Sequence, residues 1–165
     1  MFGMQVRAFL ADAVESTGGK LSMLGAGWNR LHTPGFPATH PRISIGVFLT
    51  VHAGDERIQR VTIKMQGPDG KDRPFGVTPH GTPTMNLEVN VQVPGSVDDT
   101  VVPMALNIDA LVFERPGSYA FSIEVEGHEE ERLGFTVAQA QAPAPGGPGQ
   151  PAESRPFPTT SAGYL

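Results

Sequence analysis

The feature that most constrains this fold is a regular alternation of apolar and polar residues between positions 116 and 137. The apolar side chains of its first half fall on odd positions and keep that parity in its second half: Tyr119, Phe121, Ile123, Val125, Leu133, Phe135 and Val137. Because successive side chains of a strand point to opposite faces, this pattern predicts a β-hairpin with one buried and one solvated face. The buried face needs a second sheet to cover it.

Further alternating segments supply that second sheet. With the hairpin they make nine candidate strands, at residues 4–10, 20–28, 42–52, 61–65, 73–78, 85–93, 104–108, 119–125 and 133–137. Residues 29–41 contain three prolines and are expected to form a loop. The segment at 73–78 is expected to lie at a sheet edge, because Pro74 cannot donate to a central ladder. We find no helical period in the sequence.

Short strands separated by turn residues predict an all-β fold, an antiparallel β-sandwich of immunoglobulin-like or jelly-roll kind. The immunoglobulin hallmarks are incomplete, since the chain has no cysteine. Tyr119 at a strand start resembles a tyrosine corner only loosely. Gly25 and Gly27 indicate a bulge or a close backbone crossing, with Trp28 over the thinned backbone.

The composition excludes several classes of function. Without cysteine there is no disulfide, thiolate zinc site, iron–sulfur cluster or cysteine nucleophile. A net charge of −5 argues against a nucleic-acid partner, which needs a basic surface. Arg7 and Asp12 interrupt any signal-peptide core, and no apolar run has the length of a membrane span. We therefore expect no membrane partner and a cytoplasmic location, or a place in the virion if a phage encodes the chain.

The opening of the chain resembles that of a known family. The segment from Val6 to Asp12 reads VRAFLAD, Gly19 to Leu21 reads GKL, and Leu24 to Trp28 reads LGAGW. These motifs, with the later Pro-Gly-x-Tyr turn at 116–119, are similar to a family of small uncharacterised bacterial proteins, mainly actinobacterial. The resemblance covers about residues 4–138 and implies a β-sandwich of unknown function. It implies no catalytic residue.

No catalytic or metal-binding motif is found in the sequence. Nucleophile elbows, metalloprotease motifs and phosphate loops are lacking, and no two of the five histidines have the spacing of a metal-binding pair. Acidic turn residues could gather at one end of a sandwich and bind calcium, but charged turns are normally solvated. We therefore expect no catalytic residue, no metal and no cofactor.

The chain changes character after the last strand. Residues 1–138 are expected to form the sandwich domain, and 139–165 a Pro/Gly/Ala-rich linker with a C-terminal arm. We interpret the arm as a tether that carries a protein-binding segment, whose contacts would be Arg155, Phe157, Tyr164 and Leu165.

The leading functional hypothesis is a non-enzymatic, protein-binding or structural component of a multi-subunit assembly, such as a phage particle. Its partners would be other protein subunits, including copies of itself. The alternative is a small-ligand or carbohydrate-binding module, in which Trp28, Phe36 and His80 contact the ligand. An enzyme is a third reading, which would require a deep polar pocket with perturbed acids.

Overall fold

The computed structural model describes residues 4–54, 58–76, 81, 83–92 and 98–141. These residues contain eleven strands and no helix. The strands are β1 (Gln5–Ala11), β2 (Ala13–Thr17), β3 (Lys20–Leu24), β4 (Arg30–Thr33), β5 (Ala38–Val51), β6 (Ile58–Gln66), β7 (Asp72–Arg73), β8 (Asn86–Gln92), β9 (Thr100–Phe113), β10 (Gly117–Val125) and β11 (His128–Gln139).

The strands form two stacked sheets and a separate hairpin. One sheet has three strands in the order β1-β5-β9, and the other has six, in the order β4-β11-β10-β6 with β7 and β8 both paired to β6. The strands β2 and β3 pair only with each other. This arrangement is the predicted immunoglobulin-like β-sandwich. It is not entirely antiparallel, because β4 pairs with β11 in parallel.

The core lies between the inner faces of the two sheets, where the predicted alternation is confirmed. Ile43, Ile45, Val47 and Leu49 of β5 are fully buried, as are Phe121 and Ile123 of β10. Each such side chain stabilises the fold by roughly 1.5–3 kcal/mol relative to an exposed position.

Tyr119 closes the entry to β10 as a tyrosine corner. Its hydroxyl donates a hydrogen bond of 2.8 Å to the carbonyl oxygen of Arg115, four residues upstream. In immunoglobulin domains the second core cysteine follows this tyrosine by two residues, a position that Phe121 occupies here. The Phe121 ring stacks on Phe135 with centroids 5.6 Å apart. Aromatic packing therefore stands where those domains have a disulfide.

The hairpin β2–β3 forms a partial third layer on the outer face of the three-stranded sheet. The Asn107 side chain holds it there: its Nδ2 donates to the carbonyl oxygen of Val14, and its Oδ1 accepts from the Val14 N–H. Gly46 lies under the hairpin. A Cβ at Gly46 would come within 2.6 Å of Met23 Sδ and 2.8 Å of Leu21 Cδ2, so the close approach needs glycine.

The expected number of strands was too low, and the loop expected at 29–41 was wrong. The structure adds β2 and β4, and β5 begins at Ala38 inside the expected loop. Both added strands are short, and neither shows a run of alternating apolar residues. The ladder between β4 and β11 also reaches Gln139, one residue past the expected end of the domain.

The outer face of the hairpin β10–β11 is less exposed to solvent than the alternation of its residues predicted. Ala120 and Ser122 are buried, because β10 lies between β6 and β11 and long neighbouring side chains cover it. Glu124 is likewise partly buried beside Lys64. Conversely, Val89 is only half-buried, although its alternation predicted a core position.

Candidate functional site

The outer face of the six-stranded sheet is charged and internally paired. Lys64 Nζ lies 2.8 Å from Glu124 Oε1, and this hydrogen bond raises the pKa of Lys64. Glu129 accepts hydrogen bonds from Ser122 Oγ at 2.6 Å and from Arg132 Nη1 at 3.3 Å. These side chains are therefore already hydrogen-bonded within the protein rather than free to bind another molecule.

The outer face of the three-stranded sheet, by contrast, carries a cluster of apolar side chains, bordered by Arg7, which lies opposite Phe48. The cross-strand register places Phe9, Gly46 and Ala105 in one row, and Phe48 beside Pro103 in the next. The exposed fraction is 43% for Phe9 and 56% for Val101. Contiguous exposed apolar groups commonly mark interaction surfaces. We call this surface the apolar face; its members are Phe9, Phe48, Val101, Pro103 and Ala105.

The strand β9 borders the apolar face and is the last strand of its sheet. It is 14 residues long and pairs with β5 on one side; within the described residues no strand pairs with its other side. Pro103 lies opposite Phe48 within this strand. Because proline has no N–H, it is tolerated in a strand where its nitrogen faces an open edge. We call this side of β9 the free edge.

A cavity of about 290 Å³ adjoins the free edge. Its lining comes from the segment between β7 and β8 and the start of β8 on one side, and from β9 on the other: Phe75, Gly76, Thr84, Leu87, Asn107, Ile108 and Asp109. The six-stranded sheet extends to β8, whereas the three-stranded sheet ends at β9. Leu87 and Val89 are half-buried, and no further strand among the described residues covers them.

One ion pair lies on the same outer face, at the second outward position beyond Ala105 along β9. Arg42 donates to both carboxylate oxygens of Asp109, from Nε at 2.6 Å and from Nη2 at 3.1 Å. This hydrogen bonding lowers the pKa of Asp109 and raises the pKa of Arg42. Both side chains are about half exposed, so Asp109 is accessible to a further cation.

Two of the three sequence-predicted ligand contacts, Trp28 and Phe36, lie among the described residues. Trp28 packs edge-on against Phe135 with ring centroids 6.0 Å apart, and Phe36 also packs against the core. Phe36 borders an open cavity of about 490 Å³ formed by residues 32–41, and no ring contact joins it to Trp28 in the described structure. His80 lies outside the described residues.

Trp28 also carries an unusual feature. Its Nε1–H is buried, and no described group accepts a hydrogen bond from it.

The predicted arm contacts Arg155, Phe157, Tyr164 and Leu165 all lie outside the described residues. Their role stays a prediction.

The described residues provide no cluster typical of metal chemistry. Among residues 4–54, 58–76, 81, 83–92 and 98–141, no three histidine, aspartate or glutamate side chains are placed to share an ion. The same part of the chain contains no helix long and apolar enough to cross a membrane.

Comparison with known families identifies the chain over most of its length. The family of unknown function DUF6941 matches residues 6–138, from β1 to the end of the sandwich. The chain belongs to DUF6941. The DUF6941 region thus includes the apolar face and the free edge, whereas the arm lies outside it.

A search of curated proteins finds no match to this sequence. Among solved structures, the chain is similar to an immunoglobulin-like protein from Pseudomonas aeruginosa, with 12% identity and a TM-score of 0.38 over 82% of this chain and 96% of that one. It is also similar to part of the Pseudomonas fluorescens alkylpurine DNA glycosylase AlkC bound to DNA containing an abasic site analog, with 10% identity and a TM-score of 0.39. That match covers 82% of this chain and 30% of the glycosylase.

Sequence reasoning did not single out the apolar face as a site. Phe9 was visible as an apolar residue on the outer side of its strand, and Phe48 occupies an outward position within the alternation of β5. Those two positions were the available signal. Their proximity to Val101 and Pro103 depends on strand order, which alternation does not specify.

Proposed function

We propose that this DUF6941 protein is a non-catalytic binding component of a multi-subunit protein assembly, and that its apolar face is covered by a neighbouring subunit. The observation that carries the proposal is the asymmetry of the two outer faces. One is charged and internally paired, whereas the other exposes Phe9 and Val101. Burial of such a surface is favourable at roughly 25 cal/mol per Å² of apolar area.

The neighbouring subunit in this proposal is a second copy of the chain. The C-terminal arm supports this choice, because it carries aromatic and aliphatic residues on a polar, proline-rich tether that contains no core of its own. A chain that presents both an apolar face and an apolar arm can provide the two halves of one contact. Phage particles are one setting that fits a small sandwich with an arm; the protein would then work in the virion, and otherwise in the cytoplasm.

No described observation favours the ligand-binding alternative. Trp28 packs against Phe135, and within the described residues no aromatic-ring contact joins Trp28 to Phe36. We also assign no catalytic residue, metal or cofactor to the protein.

Site-specific photocrosslinking tests the proposal. A benzoylphenylalanine at position 9 should crosslink the purified protein into a dimer, and cells expressing it should yield the same species. The matched control places the photoreactive residue at Glu88, which is exposed on the charged face. Equal yields from positions 9 and 88 would show that the apolar face is not a preferred contact.

Replacing Phe9 with Ser provides an independent measurement. Phe9 is 43% exposed and lies outside the core, so this change should lower the unfolding midpoint less than the loss of a fully buried side chain would. Sedimentation velocity should nevertheless show a loss of association relative to the parent protein. Association that persists unchanged in the variant would contradict the proposal.

A further inference from the structure

We propose that the segment 155–159 of one copy pairs as an additional antiparallel strand with the free edge of β9 in a neighbouring copy. This inference rests on the proposed function and specifies where the arm binds. It places Phe157 opposite Ala105, Arg155 opposite Asn107 and Thr159 opposite Pro103.

The free edge can accept a strand because half of its backbone groups point away from β5. Pro103 indicates which half: a proline nitrogen fits the side without a ladder partner. Backbone groups alternate along a strand as side chains do, so Ala105 and Asn107 direct their N–H and C=O groups to the same open side. Extended peptides commonly bind to such edges through main-chain hydrogen bonds.

The prolines of the arm fix which of its sides can pair. Pro156 and Pro158 lack N–H groups, whereas Arg155, Phe157 and Thr159 between and beside them retain theirs. Donors at alternate positions face one side of an extended segment. The arm can therefore donate to β9 only through the set that contains Phe157. Its other side, without donors, would terminate the sheet rather than extend it.

This choice of side also determines where the Phe157 ring goes. Directly opposed residues in antiparallel strands direct their side chains to the same face. Opposite Ala105, the Phe157 ring joins the apolar face, beside Leu21 and Met23, which lie over Gly46. The rings of Pro156 and Pro158 then turn inward, toward the cavity lined by Leu87 and Ile108. Both faces of the segment meet apolar surface.

Charge complementarity supports the register. With Phe157 opposite Ala105, the side chain of Arg155 lies diagonally next to Asp109, two residues beyond its direct partner. Asp109 is exposed and binds only Arg42 among the described cations, so its carboxylate can accept from a second guanidinium. A shift of two residues in one direction would place Arg155 opposite Ala105 and separate it from Asp109, and a shift in the other direction would move Phe157 from Ala105 to Asn107.

The tether is long enough to reach a neighbouring copy. Thirteen residues lie between Gln141 and Arg155, and the fourteen steps from one to the other cover about 43 Å in an extended proline-rich chain, at about 3.1 Å per step. Two packed sheets are only about 10 Å apart, so a chain of this length can extend beyond its own domain and reach an adjacent copy.

Single-cysteine crosslinking tests the register, because the natural chain contains no cysteine. One chain carries Pro103→Cys and the other carries Thr159→Cys. Mixing them under mild oxidation should produce a mixed disulfide at least about tenfold faster than mixing Pro103→Cys with Thr160→Cys, whose side chain would point to the opposite face. Adding Phe157→Ala to the Thr159→Cys chain should reduce the rate to that of the control.

A second pair guards against a local effect of replacing Pro103. Val101→Cys and Ser161→Cys are directly opposed in the same register and should react with the same preference over Thr160→Cys. Equal rates at positions 159 and 160 would overturn the proposal, and so would a rate that is insensitive to Phe157→Ala. A disulfide that forms only within one chain, in a variant carrying both cysteines, would also overturn it.

The outcome is separable from that of the proposed function. If photocrosslinks form from position 9 while the disulfides fail, the apolar face binds a subunit but the arm is seated elsewhere. If both fail, the proposed function fails as well.

Discussion

Tyr119 shows how one side chain completes a fold that lacks its usual covalent link. Its hydroxyl ties the entry of β10 to the Arg115 carbonyl, while its ring packs edge-on against Phe113 with centroids 5.0 Å apart. Burial raises the pKa of Tyr119, the expected consequence of desolvating a phenol. The residue therefore contributes to the core and to the turn at once.

The variant Tyr119→Phe separates these contributions. It keeps the ring but leaves the Arg115 carbonyl without its donor, so we expect a loss of about 1–2 kcal/mol in the free energy of unfolding. Urea titration measures this loss. The matched control is Tyr164→Phe, the same change at the other tyrosine, which should alter stability by less than about 0.5 kcal/mol. Equal effects at both positions would mean that the corner hydrogen bond contributes nothing.

At the residue scale, the alternation of apolar and polar residues predicted burial well for the core face and poorly for the opposite face. Phe121 and Ile123 are buried as expected. Ser122 is buried as well, because Glu129 reaches across from β11 and binds its hydroxyl. Alternation reports which way a side chain points. It does not report whether long side chains of a neighbouring strand will cover it.

At the scale of elements, strands with strong alternation were predictable and those fixed by contacts at distant positions were not. The pattern of β5 identified its core face directly. The strand β4 contains four residues and is held by parallel pairing with β11, more than 100 residues later. The hairpin β2–β3 likewise depends on Asn107, 93 residues from Val14. Neither contact leaves a local signature in the sequence.

The variant Gly46→Val tests how the hairpin is seated. The added side chain would collide with Met23 and Leu21, so the hairpin should lift and stability should fall by about 1–3 kcal/mol. Hydrogen exchange should accelerate in β2 and β3 more than in β10. The control is Gly134→Val, at a strand glycine with open space around it, which should have a smaller effect.

A double variant checks the cause of that loss. Met23→Ala removes the atom nearest to the new side chain, so Gly46→Val combined with Met23→Ala should cost less than the sum of the two single changes. Additive losses would show that the collision with Met23 is not what destabilises Gly46→Val.

At the scale of the whole molecule, the two sheets have different tasks. The six-stranded sheet covers one side of the core and satisfies its own charges on the outside. The three-stranded sheet is narrower and carries the apolar face and the free edge. The sequence predicted a sandwich with an arm. It could not predict this difference, because the number of strands in each sheet follows from pairing over long sequence distances.

The charges across the molecule also predict how it responds to acid. Hydrogen bonding from His52 lowers the pKa of Asp99, and hydrogen bonding from Arg42 lowers that of Asp109. In the pH range just below the ordinary value of 3.8, the unfolded chain therefore binds more protons than the native chain. The stabilisation from these carboxylates is fully present above that value and is lost as the pH falls below it, through the lower native pKa of each group.

Denaturant unfolding between pH 2 and pH 6 measures this dependence. The midpoint should fall as the solution is acidified below about pH 4, and the fall should be shallower in Asp109→Asn, which has no carboxylate to protonate. Combining Asp109→Asn with Asp99→Asn should flatten it further, because Asp99 precedes β9 and Asp109 lies in its second half, so the two carboxylates share no partner and act independently. An unchanged acid slope in the double variant would show that neither carboxylate stabilises the native state.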